Sequence, residues 1–123
     1  MARILLADDD PILRATAGAY LADAGHLVSE ACDGVVALRL LGEETYDLLI
    51  VDMLMPEADG LEVILQVRRT DQRLPILAVS SGGRMDVSSL LRPAAAFGAT
   101  ATMSKPLLKT PLIEMVESLL AQG

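Results

Sequence analysis

Leu48-Leu49-Ile50-Val51-Asp52 decides the fold. Its four apolar residues do not alternate with polar ones, and turn cues follow at Met55-Pro56 and Asp59-Gly60. A strand with one wet face alternates, whereas a strand covered on both faces does not. The stretch therefore reads as a central strand of a parallel sheet with helices on either side, ending in a carboxylate.

The same pattern recurs outward from this point. Ile4-Leu5-Leu6-Ala7 is a short apolar run stopped by Asp8-Asp9-Asp10, and Ile76-Leu77-Ala78-Val79 is another, followed by Ser80. Leu27-Val28 and Ala99 to Met103 read as weaker strands. Helical spacing fills the gaps. Asp10-Pro11 gives an N-cap acid and a proline at the first helical position, before Leu13, Ala17, Tyr20, Leu21 and Ala24, with Gly25 as the stop. Asp33-Gly34 opens a second helix that stops near Gly42, and Asp59-Gly60 opens a third through Val63, Ile64 and Val67. A fourth is expected around Leu90 and Leu91, loosened by Pro93 and ending near Phe97-Gly98. Thr110-Pro111 reads as the N-cap and first position of the last helix, through Leu112, Val116 and Leu119. Strict alternation of strand and helix predicts an α/β, doubly wound domain with a parallel sheet, occupying residues 1–123.

Composition bounds what such a domain does. The chain has 123 residues, 52% of them hydrophobic and 22% charged, which excludes intrinsic disorder. Aromatics make up 2%, so the core must be aliphatic. A formal charge of −7 opposes binding to DNA or anionic membranes. No apolar run approaches the roughly 20 residues that span a bilayer, so no membrane association is expected. Cys32 is the lone cysteine, which excludes an internal disulfide and fits a cytoplasmic setting. His26, the lone histidine, reads as structural, and the methionines as packing.

Ligand sites of doubly wound sheets lie at the carboxyl ends of the strands. There the first strand delivers Asp8 and Asp9, the third Asp52, the fourth Ser80, and the fifth Ser104 and Lys105 before Pro106. Three clustered carboxylates raise each other's pKa unless a counterion joins them. A hard divalent cation resolves the conflict, and Mg²⁺, which takes a few carboxylates plus water and phosphate oxygens, suits the set. With an ammonium for an anion and a hydroxyl donor beside it, the group looks like a phosphoryl-transfer site.

Asp8-Asp9, Asp52 with Met55-Pro56 and Asp59-Gly60, Ser80, and Lys105-Pro106 together resemble the receiver domain of two-component response regulators. The resemblance runs over essentially the whole chain. It implies a flavodoxin-like (βα)5 fold with strand order 2-1-3-4-5. It makes Asp52 the phosphoacceptor, Asp9 a direct Mg²⁺ ligand, Asp8 an acid acting mainly through water, and Leu54 a backbone-carbonyl ligand. Ser80 and Lys105 are implied to contact phosphoryl oxygens, and the Lys105-Pro106 peptide is implied to be cis. Asp10 lies outside the acid pair and is assigned to capping.

Two departures stand out. Thr102 occupies the position of the family's usual switch aromatic, and Ser81-Gly82-Gly83-Arg84-Met85 replaces a more ordinary loop.

The implied function is a phosphorylation-dependent signalling switch. Its donor is a sensor histidine kinase or a histidine phosphotransfer protein, and its output is binding to a downstream protein. Its own chemistry extends at most to phosphoryl transfer onto Asp52 and self-dephosphorylation. A monomer or weak dimer is expected. A phosphorylation-independent binding module and a receiver fragment of a larger regulator remain alternatives. An aspartyl-phosphate phosphohydrolase is a third, because Asp8-x-Asp10 resembles its nucleophile motif, although Ile12 stands where that motif places Thr or Val.

Overall fold

A computed structural model describes residues 1–55, 59–80 and 98–122. Five strands, β1 (Arg3–Ala7), β2 (Leu27–Ala31), β3 (Leu48–Asp52), β4 (Ile76–Ser80) and β5 (Ala101–Ser104), form one parallel sheet in the order β2-β1-β3-β4-β5. Four helices are present among the described residues: α1 (Pro11–Asp23), α2 (Gly34–Glu43), α3 (Gly60–Thr70) and α4 (Lys109–Gln122). The helix expected around Leu90 and Leu91, Pro93 within it, the Ser81–Met85 loop and Pro56 lie outside the described residues.

The period of two along each strand divides the core into two layers. Leu5, Ala7, Leu49, Val51, Ile76 and Ala78 point to one face, where Ala37 of α2 and Val63, Ile64 and Val67 of α3 cover them. Ile4, Leu6, Leu48, Ile50, Leu77 and Val79 point to the other, under Ala17 and Leu21 of α1 and Leu112, Val116 and Leu119 of α4. Every residue of β3 and β4 is buried, as unalternating apolar runs require. Each fully buried Leu, Ile or Val contributes about 1.5–3 kcal/mol relative to exposure, so the sheet centre is a rigid mount for whatever its edge carries.

Three helices start on a capping carboxylate. Asp10 accepts from the Ile12 and Leu13 amides, Asp33 from Val36, and Asp59 from Glu62. Gly25, at φ 94, makes the left-handed turn after α1 that carries the chain into β2.

Three boundaries differ from the sequence reading. β2 runs on through Ser29 and Glu30 to Ala31, because an edge strand pairs with β1 along its whole length while leaving polar side chains in solvent. β5 begins at Ala101 and includes Ser104, which lies opposite Ser80. Helix α4 begins at Lys109, so Thr110-Pro111 sit inside its first turn. The Leu112 amide closes that turn on the Leu108 carbonyl, 3.0 Å away, and a proline there gives up a donor the helix does not use. No helix among the described residues is long and apolar enough to cross a membrane.

Candidate functional site

The carboxyl edge of the sheet gathers the residues expected there. At the end of β1 the Asp8 amide extends the ladder to the Ala31 carbonyl, 3.0 Å away, which turns the Asp8 side chain fully into the protein. Its Oδ1 accepts from the Asp10 amide at 2.9 Å. Its Oδ2 is buried and receives no well-aligned hydrogen bond, although Lys105 Nζ stands 2.9 Å away as an ion-pair partner. Asp9, next along, is exposed.

Asp52 ends β3 and is 3% exposed. Its Oδ1 accepts from the Leu54 amide at 3.2 Å, and its Oδ2 lies 3.3 Å from Lys105 Nζ. Behind it, the Met53 amide donates to the Val79 carbonyl and the Gly60 amide to the Met53 carbonyl. Gly60 is indispensable to this arrangement, since a Cβ there would lie 2.4 Å from the Asp52 carbonyl oxygen and 2.7 Å from Met53 Cα. The N-terminus of α3 thus rests directly on the main chain of the candidate phosphoacceptor.

Lys105 follows β5. Its amide donates to the Ser80 carbonyl at 2.8 Å, which fixes the lysine beside the end of β4, and its peptide bond to Pro106 is cis. The ammonium spans Asp8 and Asp52. Ser80 is fully buried at the last position of β4. Thr102, half-buried on β5, pairs with Ala78.

Carboxylate oxygens of Asp8, Asp9 and Asp52 all lie within 4.8 Å of one another. Burial and then the Asp8 charge push Asp52 up to about 6, and the Leu54 amide and Lys105 offset only part of that rise. Burial acts to lower Lys105, but the Asp8 and Asp52 carboxylates outweigh it and hold the ammonium above the usual lysine range. One ammonium therefore does not neutralise the cluster. The donors are all carboxylate oxygens and include a buried one, Asp8 Oδ2, whose sole partner among the described residues is the Lys105 ammonium that Asp52 shares, so the set fits a hard divalent cation.

Asp8, Asp9, Asp52, Ser80 and Lys105 are thus brought to one edge, with Leu54 beside Asp52 through its amide. Asp10 and Asp59 serve as helix caps, and His26 lies at the opposite end of the sheet, so none of the three belongs to the site. One participant escaped the sequence reading. Arg14 of α1 donates from Nη1 to the Asp8 carbonyl at 2.6 Å and from Nε to Glu30 Oε1 at 3.3 Å.

Comparison with known proteins gives a consistent picture. The family model for the response regulator receiver domain matches residues 4–117. Response regulator MprA of Mycobacterium ulcerans is 37% identical over 118 residues, covering 96% of this chain and 50% of MprA. The gliding motility regulatory protein of Myxococcus xanthus is 42% identical over 81 residues, covering 64% of this chain and 10% of that protein. The chain thus spans half or less of these relatives' length. Among solved structures, chemotaxis protein CheY4 of Vibrio cholerae superimposes with a TM-score of 0.87 at 29% identity, covering 97% of this chain and 98% of that one. Response regulator TrrA of Thermotoga maritima, solved in complex with Mg²⁺-BeF, gives 0.86 at 28% identity, covering 97% and 99%. With this sheet order, this carboxyl-edge cluster and a family match across nearly its whole length, the chain belongs to the response regulator receiver domains of two-component signalling.

Proposed function

We propose that this domain takes a phosphoryl group onto Asp52 from a phosphohistidine of a kinase or phosphotransfer protein, and that the modified edge then alters binding to a downstream protein. One observation carries the reading: three carboxylates crowd within 4.8 Å at the sheet edge, with a half-buried lysine bridging two of them. At pH 7 a carboxyl with a pKa of about 6 is roughly nine-tenths ionised, so Asp52 is available as a nucleophile.

Asp8, Asp9, Asp52 and the Leu54 carbonyl would hold Mg²⁺, as the relative solved with Mg²⁺-BeF supports. The bound cation supplies neutralisation of the phosphoryl oxygens. A carboxylate oxygen of Asp52 attacks phosphorus, the donor's P–N bond breaks, and an acyl phosphate forms. Lys105 then exchanges its Asp52 oxygen for a phosphoryl oxygen, and Ser80 donates its hydroxyl to another. The product adds about −1.5 to −2 charges at this edge, enough to bias two arrangements of the surrounding loops.

A macromolecular donor fits the surface. Ile12, Leu54 and Leu108 are large, exposed apolar side chains set within three residues of Asp10, Asp52 and Lys105. A phosphohydrolase using Asp8 as nucleophile fits poorly, because that carboxylate is fully buried, with Oδ1 tied to the Asp10 amide and Oδ2 against Lys105. We place the protein in the cytoplasm, where the exposed Cys32 thiol stays reduced.

The test is incubation with acetyl phosphate and Mg²⁺ followed by mass measurement. Wild-type protein gains one labile phosphoryl group that maps to Asp52. No incorporation, or incorporation undiminished in Asp52→Asn, overturns the proposal.

A further inference from the structure

Asp9 poses a physical problem. As the direct cation ligand it must present its carboxylate reproducibly, yet it is exposed and no described residue hydrogen-bonds its side chain. Its direction rests on its backbone, and the peptide plane joining Asp8 to Asp9 is defined on one side by the Asp8 carbonyl. Arg14 Nη1 donates to that carbonyl at 2.6 Å, a close, charge-assisted contact. The guanidinium is itself oriented from β2, where Glu30 Oε1 accepts from Nε at 3.3 Å. Glu30 lies opposite Leu6 in the parallel ladder, so its own placement is set by the sheet. The Arg14 side chain is 18% exposed and that of Glu30 is 46% exposed. A pair this wet contributes little stability by itself, so its value lies in direction.

We propose that Arg14 is a positioning residue for the divalent cation, acting through the Asp8–Asp9 peptide, with Glu30 holding its guanidinium in register. The inference rests on the function proposed above and concerns how the acid pair is aimed. Asp8 is gripped at four points: its amide by Ala31, its Oδ1 by the Asp10 amide, its Oδ2 by Lys105 and its carbonyl by Arg14. Removing the fourth frees the peptide to rotate and takes Asp9 with it.

Charge and position make opposite predictions, which makes the inference testable. Arg14 is a cation beside a cation site. If only its charge mattered, Arg14→Met would bind Mg²⁺ more tightly and Arg14→Lys would match wild type. A positioning role predicts weaker binding in both. Removing a partner that orients metal ligands typically costs 10–100-fold, so we expect about tenfold weaker Mg²⁺ binding in Arg14→Met. Arg14→Lys keeps the charge but lacks the planar fork that reaches two acceptors at once, and should be about threefold weaker. Glu30→Gln, which keeps a neutral acceptor, should fall between Arg14→Lys and wild type.

The experiment is calorimetric titration of Mg²⁺ into the full chain, wild type and each variant, with thermal unfolding in chelator run in parallel. Weaker affinity in both arginine variants, at temperatures where each is folded, supports the proposal. A lowered unfolding midpoint with unchanged Mg²⁺ affinity assigns Arg14 to structure alone and overturns it, as does tighter binding in Arg14→Met. Should Arg14→Met not fold, Arg14→Lys and Glu30→Gln decide by the same criteria. Wild-type protein that takes up no Mg²⁺ overturns the function proposed above and this inference with it, an outcome distinct from wild-type binding that the variants leave unaltered.

Discussion

The two ends of the sheet solve the same problem in opposite ways. Both set polar groups where strands and helices meet. At the amino end the buried group, His26, is partnered on both ring nitrogens: Nδ1 accepts from the Ala2 amide at 3.2 Å and Nε2 meets Glu117 at 3.0 Å, while the carboxylates there, Asp47 and Asp71, stay exposed and accept from the Arg3 amide and from the Arg73 and Leu74 amides. At the carboxyl end Asp8 and Asp52 are buried side by side, one of their oxygens lacks a proper hydrogen bond, and Asp52 is pushed up to about 6. The fold is therefore relaxed at one edge and held in electrostatic tension at the other. A bound cation would relieve that tension, and the proposed phosphoryl group would add to the charge the cation must offset.

The sharpest way to break this contrast is Asp52→Asn. It should abolish phosphoryl incorporation and at the same time stabilise the metal-free protein at pH 8. A rise from 3.8 to about 6 corresponds to at most about 3 kcal/mol against the ionised form. The sign follows from linkage. A carboxyl with a raised folded-state pKa favours the folded state below about pH 4, and that advantage is lost as pH climbs through about 6. The variant's excess stability should therefore vanish near pH 4 and be complete by pH 8. Thermal melts across that range check it, and a variant less stable than wild type at pH 8 would contradict the reading of tension.

Mg²⁺ should relieve the same edge by mass action, raising stability by about 2.7 kcal/mol at a hundredfold excess over its Kd. The gain should disappear in Asp9→Asn if Asp9 is a direct ligand. Differential scanning calorimetry with and without the cation measures both.

Gly60→Ala comes next. A Cβ cannot share space with the Asp52 carbonyl, so the helix must retreat, at a cost of about 1–3 kcal/mol. Acetyl-phosphate labelling should slow in the same variant, because the displaced backbone is that of Asp52, the proposed acceptor. At the relaxed end the expected effect is smallest. Glu117→Gln keeps a hydrogen-bonding group opposite His26 and should change stability by under about 1 kcal/mol without touching phosphorylation. A large effect of that variant on labelling would show the two ends to be coupled.

The carboxyl-edge residues were legible because topology, once recognised, sends every strand end to the same place. Three unalternating apolar runs each closed on a polar residue, and the rule for parallel sheets did the rest. The edge strand was harder. Ser29 and Glu30 carry no apolar signal, yet β1 supplies their ladder, so pairing rather than pattern extends β2 to Ala31. Thr110-Pro111 imitated a helix start, because proline is tolerated anywhere in a first turn whose amides lack partners. Arg14 was invisible for a related reason. Sequence places it on the surface of α1, but long helical side chains lean toward the N-terminus, and that lean carries its guanidinium back over the turn to the Asp8 carbonyl.

The bare glycine at the head of α3 also sets how force passes through the molecule. Main chain against main chain is a contact that resists compression steeply, since no side chain is there to bend. In tension the same junction is soft, held by the hydrogen bond from the Gly60 amide to the Met53 carbonyl at 3.3 Å, worth about 1 kcal/mol. Any push from β3 is delivered to the helix at once, whereas against a pull the junction itself offers only that one hydrogen bond. The junction behaves as a stop rather than a spring. Crowding at Asp52 can thus be answered only outward at this contact, and the buried Val63, Ile64 and Val67 further along α3 limit how far the helix yields.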